Sequence, residues 1–133
     1  MPTNTPKERA RRCILIEMML DIQEAIKNLD HNTEVSVVLM AVRLGDYQGR
    51  PMNITSLAGA TSLPRTTVLR HLKVLEAAQR ISINRGGQKT TVTLNGKPDT
   101  PKTAPFYRRV ERAVLEASRS LSKLDTKAVD TKS

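Results

Sequence analysis

Side chains able to hold a phosphate or a base edge crowd one part of this chain. Arg65, Thr66, Thr67, Arg70 and Lys73 lie close together, Thr55 and Ser56 precede them, and Arg85, Gln88 and Lys89 follow. An arginine can bond the O6 and N7 edge of guanine with two parallel hydrogen bonds, or it can grip a phosphate. Hydroxyls and lysine ammonium groups suit phosphates. This is recognition chemistry, and covalent chemistry finds no comparable set of residues. His31, His71 and Cys13 make no spaced metal cluster. Gly96-Lys97 is followed by Pro98 where a phosphate loop needs Ser or Thr. No Ser, His and acid combination stands out. The expectation is a protein that is not an enzyme and needs no cofactor or metal.

The elements that must position these residues can be read from local pattern. Thr5, Pro6 and Glu8 have the types of a helix start, with a cap, a first-turn proline and a capping box. A helix is expected over 5–30, with Leu15, Met19, Ile22, Ile26 and Leu29 at helical spacing and Ile14, Met18, Ala25, Ile16 and Leu20 widening the stripe. That is more apolar surface than one intrachain contact needs, so a second subunit is the simplest partner. Asp30, His31 and Asn32 break the helix, Thr33 is the expected cap of the next, and Gly45 with Gly49-Arg50-Pro51 ends it.

A short helix is expected from Asn53-Ile54-Thr55, with Leu57, Ala58 and Leu63 inward. The next runs from Pro64 to about Ala78 and buries Val68, Leu72 and Leu75. Its first residue, Arg65, is placed where recognition helices meet base edges. Arg70 lies about 140° further round, so the two cannot both point into the groove; Arg65 is the expected base reader, and Arg70 takes that task if Arg65 grips backbone. His71, between the stripe and the surface, is expected to pack. Residues 80–83 and 90–94 alternate like half-buried strands joined by Arg85-Gly86-Gly87-Gln88-Lys89, whose glycines allow positive φ. Thr55 and Ser56 open their helix where free N–H groups and hydroxyls suit a phosphate. A Pro- and Thr-rich loop leads to a last helix over 104–124. Its seam is Val110, Val114, Ala117, Leu121 and Leu124, and residues 125–133 form a disordered tail.

Charge separates these regions. Of the net +9, residues 1–46 carry 6 Lys/Arg against 7 Asp/Glu, residues 47–102 carry 9 against 2, and residues 103–133 carry 7 against 4. Positive charge gathered on one module is the footprint of phosphate binding. One Phe, two Tyr and no Trp are too few rings to stack single-stranded bases, which favours duplex DNA. The opening residues are polar and charged. The apolar run from Cys13 to Leu20 is broken by Glu17 and falls far short of the roughly 20 residues of a membrane span. A single cysteine permits no intramolecular disulfide and fits a reducing compartment. A soluble, cytoplasmic protein without membrane contact is expected.

At Leu57-Ala58, Leu63-Pro64-Arg65-Thr66-Thr67-Val68, Arg70-His71-Leu72 and Leu75-Glu76 the chain resembles winged helix-turn-helix bacterial repressors. Long helices before and after the wing make it most similar to the MarR family, and the Leu-Pro-Arg-Thr-Thr-Val wording is also similar to IclR-type domains. The resemblance implies a mainly α fold with a small β-wing, as one domain over 1–133. The DNA-binding region spans 33–95, and the terminal helices are for dimerisation. It further implies a homodimer on a palindromic operator, transcription regulation of repressor type, and a small-molecule or redox signal. Ser62 and Gln79 depart from the family pattern by standing where glycine is common, at positions that need left-handed backbone. Some MarR-like proteins use a cysteine in the first helix, but the apolar neighbours Ile14, Leu15 and Ile16 predict that Cys13 is buried and inert. Two other functions fit the same residues: an architectural or replication-associated protein with little sequence preference, and a protein-interaction module that has lost DNA binding.

Overall fold

The computed structural model describes residues 5–30, 32–96 and 100–130. His31, residues 97–99 of the expected loop and residues 131–133 of the expected tail lie outside the described residues. The elements are α1 (Pro6–Leu29), α2 (Thr33–Tyr47), β1 (Met52–Asn53), α3 (Ile54–Thr61), α4 (Arg65–Ala77), β2 (Ile81–Asn84), β3 (Thr91–Leu94) and α5 (Thr103–Asp130). They form two compact units, one of residues 1–29 with 101–133 and one of residues 30–100. Among the described residues no helix is long and apolar enough to cross a membrane.

The helix ends follow from local chemistry. Thr5 caps α1, with the Glu8 N–H donating to its Oγ1 at 3.1 Å. Asn32, rather than the expected Thr33, caps α2, because its side chain reaches the Val35 N–H at 3.1 Å. Asn53 does the same for α3 through the Ser56 N–H at 2.8 Å. Helices α2 and α4 stop by one device. In α2, Arg50 N–H donates to Gly45 O at 2.8 Å and Gly49 N–H to Asp46 O at 3.1 Å, with Gly49 at φ 68°. In α4, Arg80 N–H donates to Leu75 O at 2.9 Å and Gln79 N–H to Glu76 O at 3.0 Å, with Gln79 at φ 60°. This pair of bonds closes a helix through one left-handed residue. Gly45 does not end α2. It is buried inside the helix, where an added Cβ would meet Arg50 O at 2.9 Å and Met52 N at 3.1 Å.

In the unit of residues 30–100 the core is Val38, Ala41 and Val42 of α2, Leu57 of α3, Val68, Leu72 and Leu75 of α4, Ile81 of β2 and Val92 of β3. The sheet has the order β1-β3-β2, all antiparallel, with Met52 opposite Val92 and Ile83 opposite Val92 on the other side. Strand β1 was not anticipated from sequence. Asp46 Oδ2 accepts the Leu94 N–H at 2.9 Å, which ties the end of α2 to the wing.

In the other unit α1 packs on α5. Ala25, Thr103, Phe106, Ala113 and Ala117 are buried, with Ile14, Met18, Ile22, Val110, Leu121 and Leu124 half-buried. The α5 seam therefore runs through Ala113 instead of the expected Val114, which is 44% exposed. Cys13 is exposed, against expectation, because it precedes Ile14 by one residue and so points about 100° away from the contact row. Helix α5 also continues to Asp130, so residues 125–130 of the expected tail are helical. Arg109 bonds Asp21 at 2.8 Å and Glu24 at 3.2 Å, and Arg11 bonds Asp125 at 2.8 Å. These three ion pairs join the two helices in one register.

Candidate nucleic-acid interface

Helices α3 and α4 are joined by Ser62-Leu63-Pro64, with Ser62 left-handed at φ 57° and ψ 28°. The expected need for left-handed geometry at Ser62 and at Gln79 is met at both positions without glycine. Below the turn, Leu57, Val68 and Leu72 are fully buried and hold the two helices together. At 100° per residue, burial of Val68, His71, Leu72 and Leu75 turns the row Thr66, Arg70, Lys73 and Ala77 directly outward. All four are exposed. Arg65, Leu69 and Glu76 lie on one flank of that row, and Thr67, half-buried, on the other.

The two candidate arginines differ in how they are held. Arg65 Nη1 donates to Thr55 Oγ1 at 2.9 Å, so its guanidinium lies back across the start of α3. The arginine at the helix start and the hydroxyl at the neighbouring helix start are thus brought together. Ser56, expected to offer a free N–H, has that group engaged by the Asn53 cap. The Arg70 side chain is 67% exposed and comes no closer than 4.0 Å to Glu34, the limit of an ion pair. Glu34 is committed instead to His71, whose Nε2 lies 2.9 Å from its Oε1. His71 is a buried anchor of α4 on α2, as expected of a packing residue.

The wing departs from expectation at its tip. Neither Gly86 nor Gly87 uses positive φ; the turn is shaped by Asn84 Oδ1, which accepts the Gly86 N–H at 3.1 Å. Arg85 does not project from the tip. Its Nη1 and Nη2 bond the two Glu76 oxygens at 3.0 and 3.2 Å, pinning the wing to α4. This pairing lowers the Glu76 pKa and raises that of Arg85, first through the hydrogen bonds themselves. The carboxylate form is favoured, so the contact persists at neutral pH and is lost only as acid protonates Glu76 through its lowered pKa. Gln88 and Lys89 remain exposed beyond it. Sequence reasoning missed Glu76 as part of this surface. The available signal was its isolation, since residues 47–96 contain seven Lys/Arg and this one acid.

No protein-family model and no curated protein matches the sequence. Solved structures do match. MepR of Staphylococcus aureus, a transcription regulator of the multidrug efflux pump MepA, matches with a TM-score of 0.63 at 17% identity, over 91% of this chain and 88% of that one. A MepR mutant bound to an oligodeoxyribonucleotide matches with a TM-score of 0.62 at 19% identity, over 97% and 96%. The transcriptional regulator Tm0710 of Thermotoga maritima gives 0.52 at 17% identity, over 96% and 90%. The fold is the MarR-like winged helix. At these identities the likeness is one of fold. In this winged helix α3 and α4 are the two helices of the helix-turn-helix and β2–β3 the wing.

Proposed function

We propose that the chain is a cytoplasmic, sequence-specific regulator of transcription, of repressor type, that binds double-stranded DNA as a homodimer. The observation that carries this reading is the surface of residues 47–96, where seven cations face one acid and the exposed row of α4 is polar and basic. Thr66, Arg70 and Lys73 on that row, Arg65 with Thr55 beside it, Ser56 and Thr67 at the helix starts, and Arg85, Gln88 and Lys89 on the wing are its contact set. The oligodeoxyribonucleotide-bound MepR structure supports the assignment by fold. Two recognition helices in a symmetric dimer meet major grooves about 34 Å apart, which calls for a near-palindromic operator. The exposed apolar residues of α1 and α5 supply the dimer contact.

The test is titration of duplex DNA over a range of salt. The logarithm of affinity should fall against the logarithm of salt with a slope of about −0.9 per phosphate neutralised. A slope near zero defeats the assignment of the basic surface to DNA. Binding with no sequence preference makes the protein architectural, and absence of duplex binding makes it an interaction module.

An effector site is part of the proposal. A cavity of about 310 Å³ lies between the end of α1 and the start of α5, lined by Ala25, Leu29, Pro105 and Phe106 with Lys102 and Arg109. Its size and lining fit a small molecule with an apolar body. A bound effector should raise the melting temperature of the whole chain, and Phe106→Ala should abolish the rise; an unchanged rise in that variant places the effector elsewhere.

A further inference from the structure

The sequence favours Arg65 of α4 as the base reader and keeps Arg70 as the alternative, and the geometry reverses that order. We infer that Arg70 reads the bases and that Arg65, held by Thr55, is a backbone clamp. The inference rests on the reading of this surface as a duplex-DNA site and assigns its specificity.

Direction comes first. The buried residues Val68, His71, Leu72 and Leu75 fix the rotation of α4, and Arg70 lies within roughly 30° of the outward axis while Arg65 lies about 110° from it. When α4 enters a groove, the outward row meets the base edges and the flanks meet the phosphate walls. Thr66, one turn before Arg70 on the same row, is short and leaves room for a long side chain beside it.

Restraint comes second. Arg65 gives one N–H to Thr55 Oγ1 at 2.9 Å, and this turns its guanidinium toward α3 and away from the outward row. The Thr55 hydroxyl can accept that bond and still donate its own proton. A guanidinium beside a hydroxyl at a helix start is a pair of donors shaped for one phosphate. Arg70 has no such tether. Its nearest acid, Glu34, is 4.0 Å away and already bonded to His71 at 2.9 Å, so the Arg70 fork is available for a guanine.

The experiment is binding-site selection from a duplex library with a randomised centre, run at one low salt concentration with wild type, Arg65→Ala, Arg70→Ala and Arg70→Lys. Salt titrations on the selected and a scrambled duplex accompany it. Both arginines are exposed, so circular dichroism should show all variants folded. Arg65→Ala should select the wild-type sequence, bind both duplexes more weakly by a similar factor, and lose about 0.9 of salt slope per subunit. Thr55→Val should weaken both duplexes in the same direction, and Thr55→Ser should restore them. Arg70→Ala should lose the preference for a guanine at one position in each half-site, with discrimination there falling about 5- to 150-fold. Arg70→Lys should keep the charge and salt slope but lose the same preference, because an ammonium is not a fork. Loss of the guanine with Arg65→Ala and its retention with Arg70→Ala would overturn the assignment. A wild type that binds duplexes but selects no sequence also overturns it while leaving the DNA-binding surface standing. A wild type that binds no duplex at low salt removes the surface assignment itself.

Discussion

The two units of this protein leave opposite things uncovered. In residues 30–100, side chains from α2, α3, α4, β2 and β3 close over one another, and Val38, Val42, Leu57, Val68 and Leu72 are fully buried. What remains on that surface is mostly charge, with Leu44, Tyr47 and Val74 as its exposed apolar side chains. In the α1–α5 unit the buried set among the described residues is small: three alanines, a threonine and one phenylalanine. There Ile16, Met19, Leu20 and Leu115 are 50% to 64% exposed. Full burial of such a side chain is worth about 1.5–3 kcal/mol, so covering the half still exposed contributes about 1–1.5 kcal/mol. A surface that leaves cations outside calls for a polyanion, whereas one that leaves hydrocarbon outside calls for another apolar face. The simplest such face, carrying the same row, is a second copy of the chain.

The largest expected effect tests the closed half of this contrast. Leu72 is fully buried between α4 and its neighbours. Leu72→Ala should lower the unfolding free energy by about 2–5 kcal/mol, through lost transfer energy and the cavity left behind. Urea unfolding measures it. A cost below about 1 kcal/mol would mean that the unit is not held by this core.

Next comes the open half. Leu20 is 64% exposed, so its own chain leaves most of it uncovered. Wild type should sediment at micromolar concentration near twice 14.8 kDa, and Leu20→Lys should move the mass toward 14.8 kDa. The dimer dissociation constant should rise at least about a hundredfold, or about 2.8 kcal/mol. A wild-type monomer at that concentration, or a dimer indifferent to the substitution, removes the α1 face from the interface.

Much of this was legible where the cause is local. Val68, Leu72 and Leu75 repeat at helical spacing, and burial follows from that spacing alone. Thr5, Pro6 and Glu8 mark a helix start by their chemistry. Ser62 and Gln79 were expected to be left-handed because the family pattern puts glycine at both places, and both have positive φ. What was not legible depends on other parts of the chain. Strand β1 has two residues and exists only because β3 lies beside it. Gly45 reads as a helix end, yet the need for it comes from Arg50 and Met52 crossing close by. The α5 seam was misplaced onto Val114 because Ala113 gives little hydropathic signal, although small residues let two helices approach. Cys13 looks buried among apolar neighbours, but only Ile14 lies in the row facing α5, and Leu15 and Ile16 are exposed. The Thr55–Arg65 and Glu76–Arg85 bonds join exposed side chains from separate elements, and no spacing announces them.

The smallest expected effect concerns Glu76, the one acid within residues 47–96. Glu76 holds Arg85 with two hydrogen bonds, so the pair presents no net charge to DNA. If charge is what this unit leaves uncovered, then Glu76 competes with phosphate for Arg85. Replacing it by glutamine removes the competitor and leaves the shape almost unchanged. Glu76→Gln should bind selected and scrambled duplexes about two- to fivefold more tightly, because one more cation per subunit is available to the backbone. The salt slope should steepen by about 0.9 per subunit for the same reason. The substitution should do neither in an Arg85→Gln background, where no guanidinium waits to be released. Pinning could instead hold the wing ready for DNA, and Glu76→Gln would then weaken binding. The sign of the change therefore says whether the acid restrains the surface or shapes it. Both arms can be read from the same titration, with wild type and Arg85→Gln alongside.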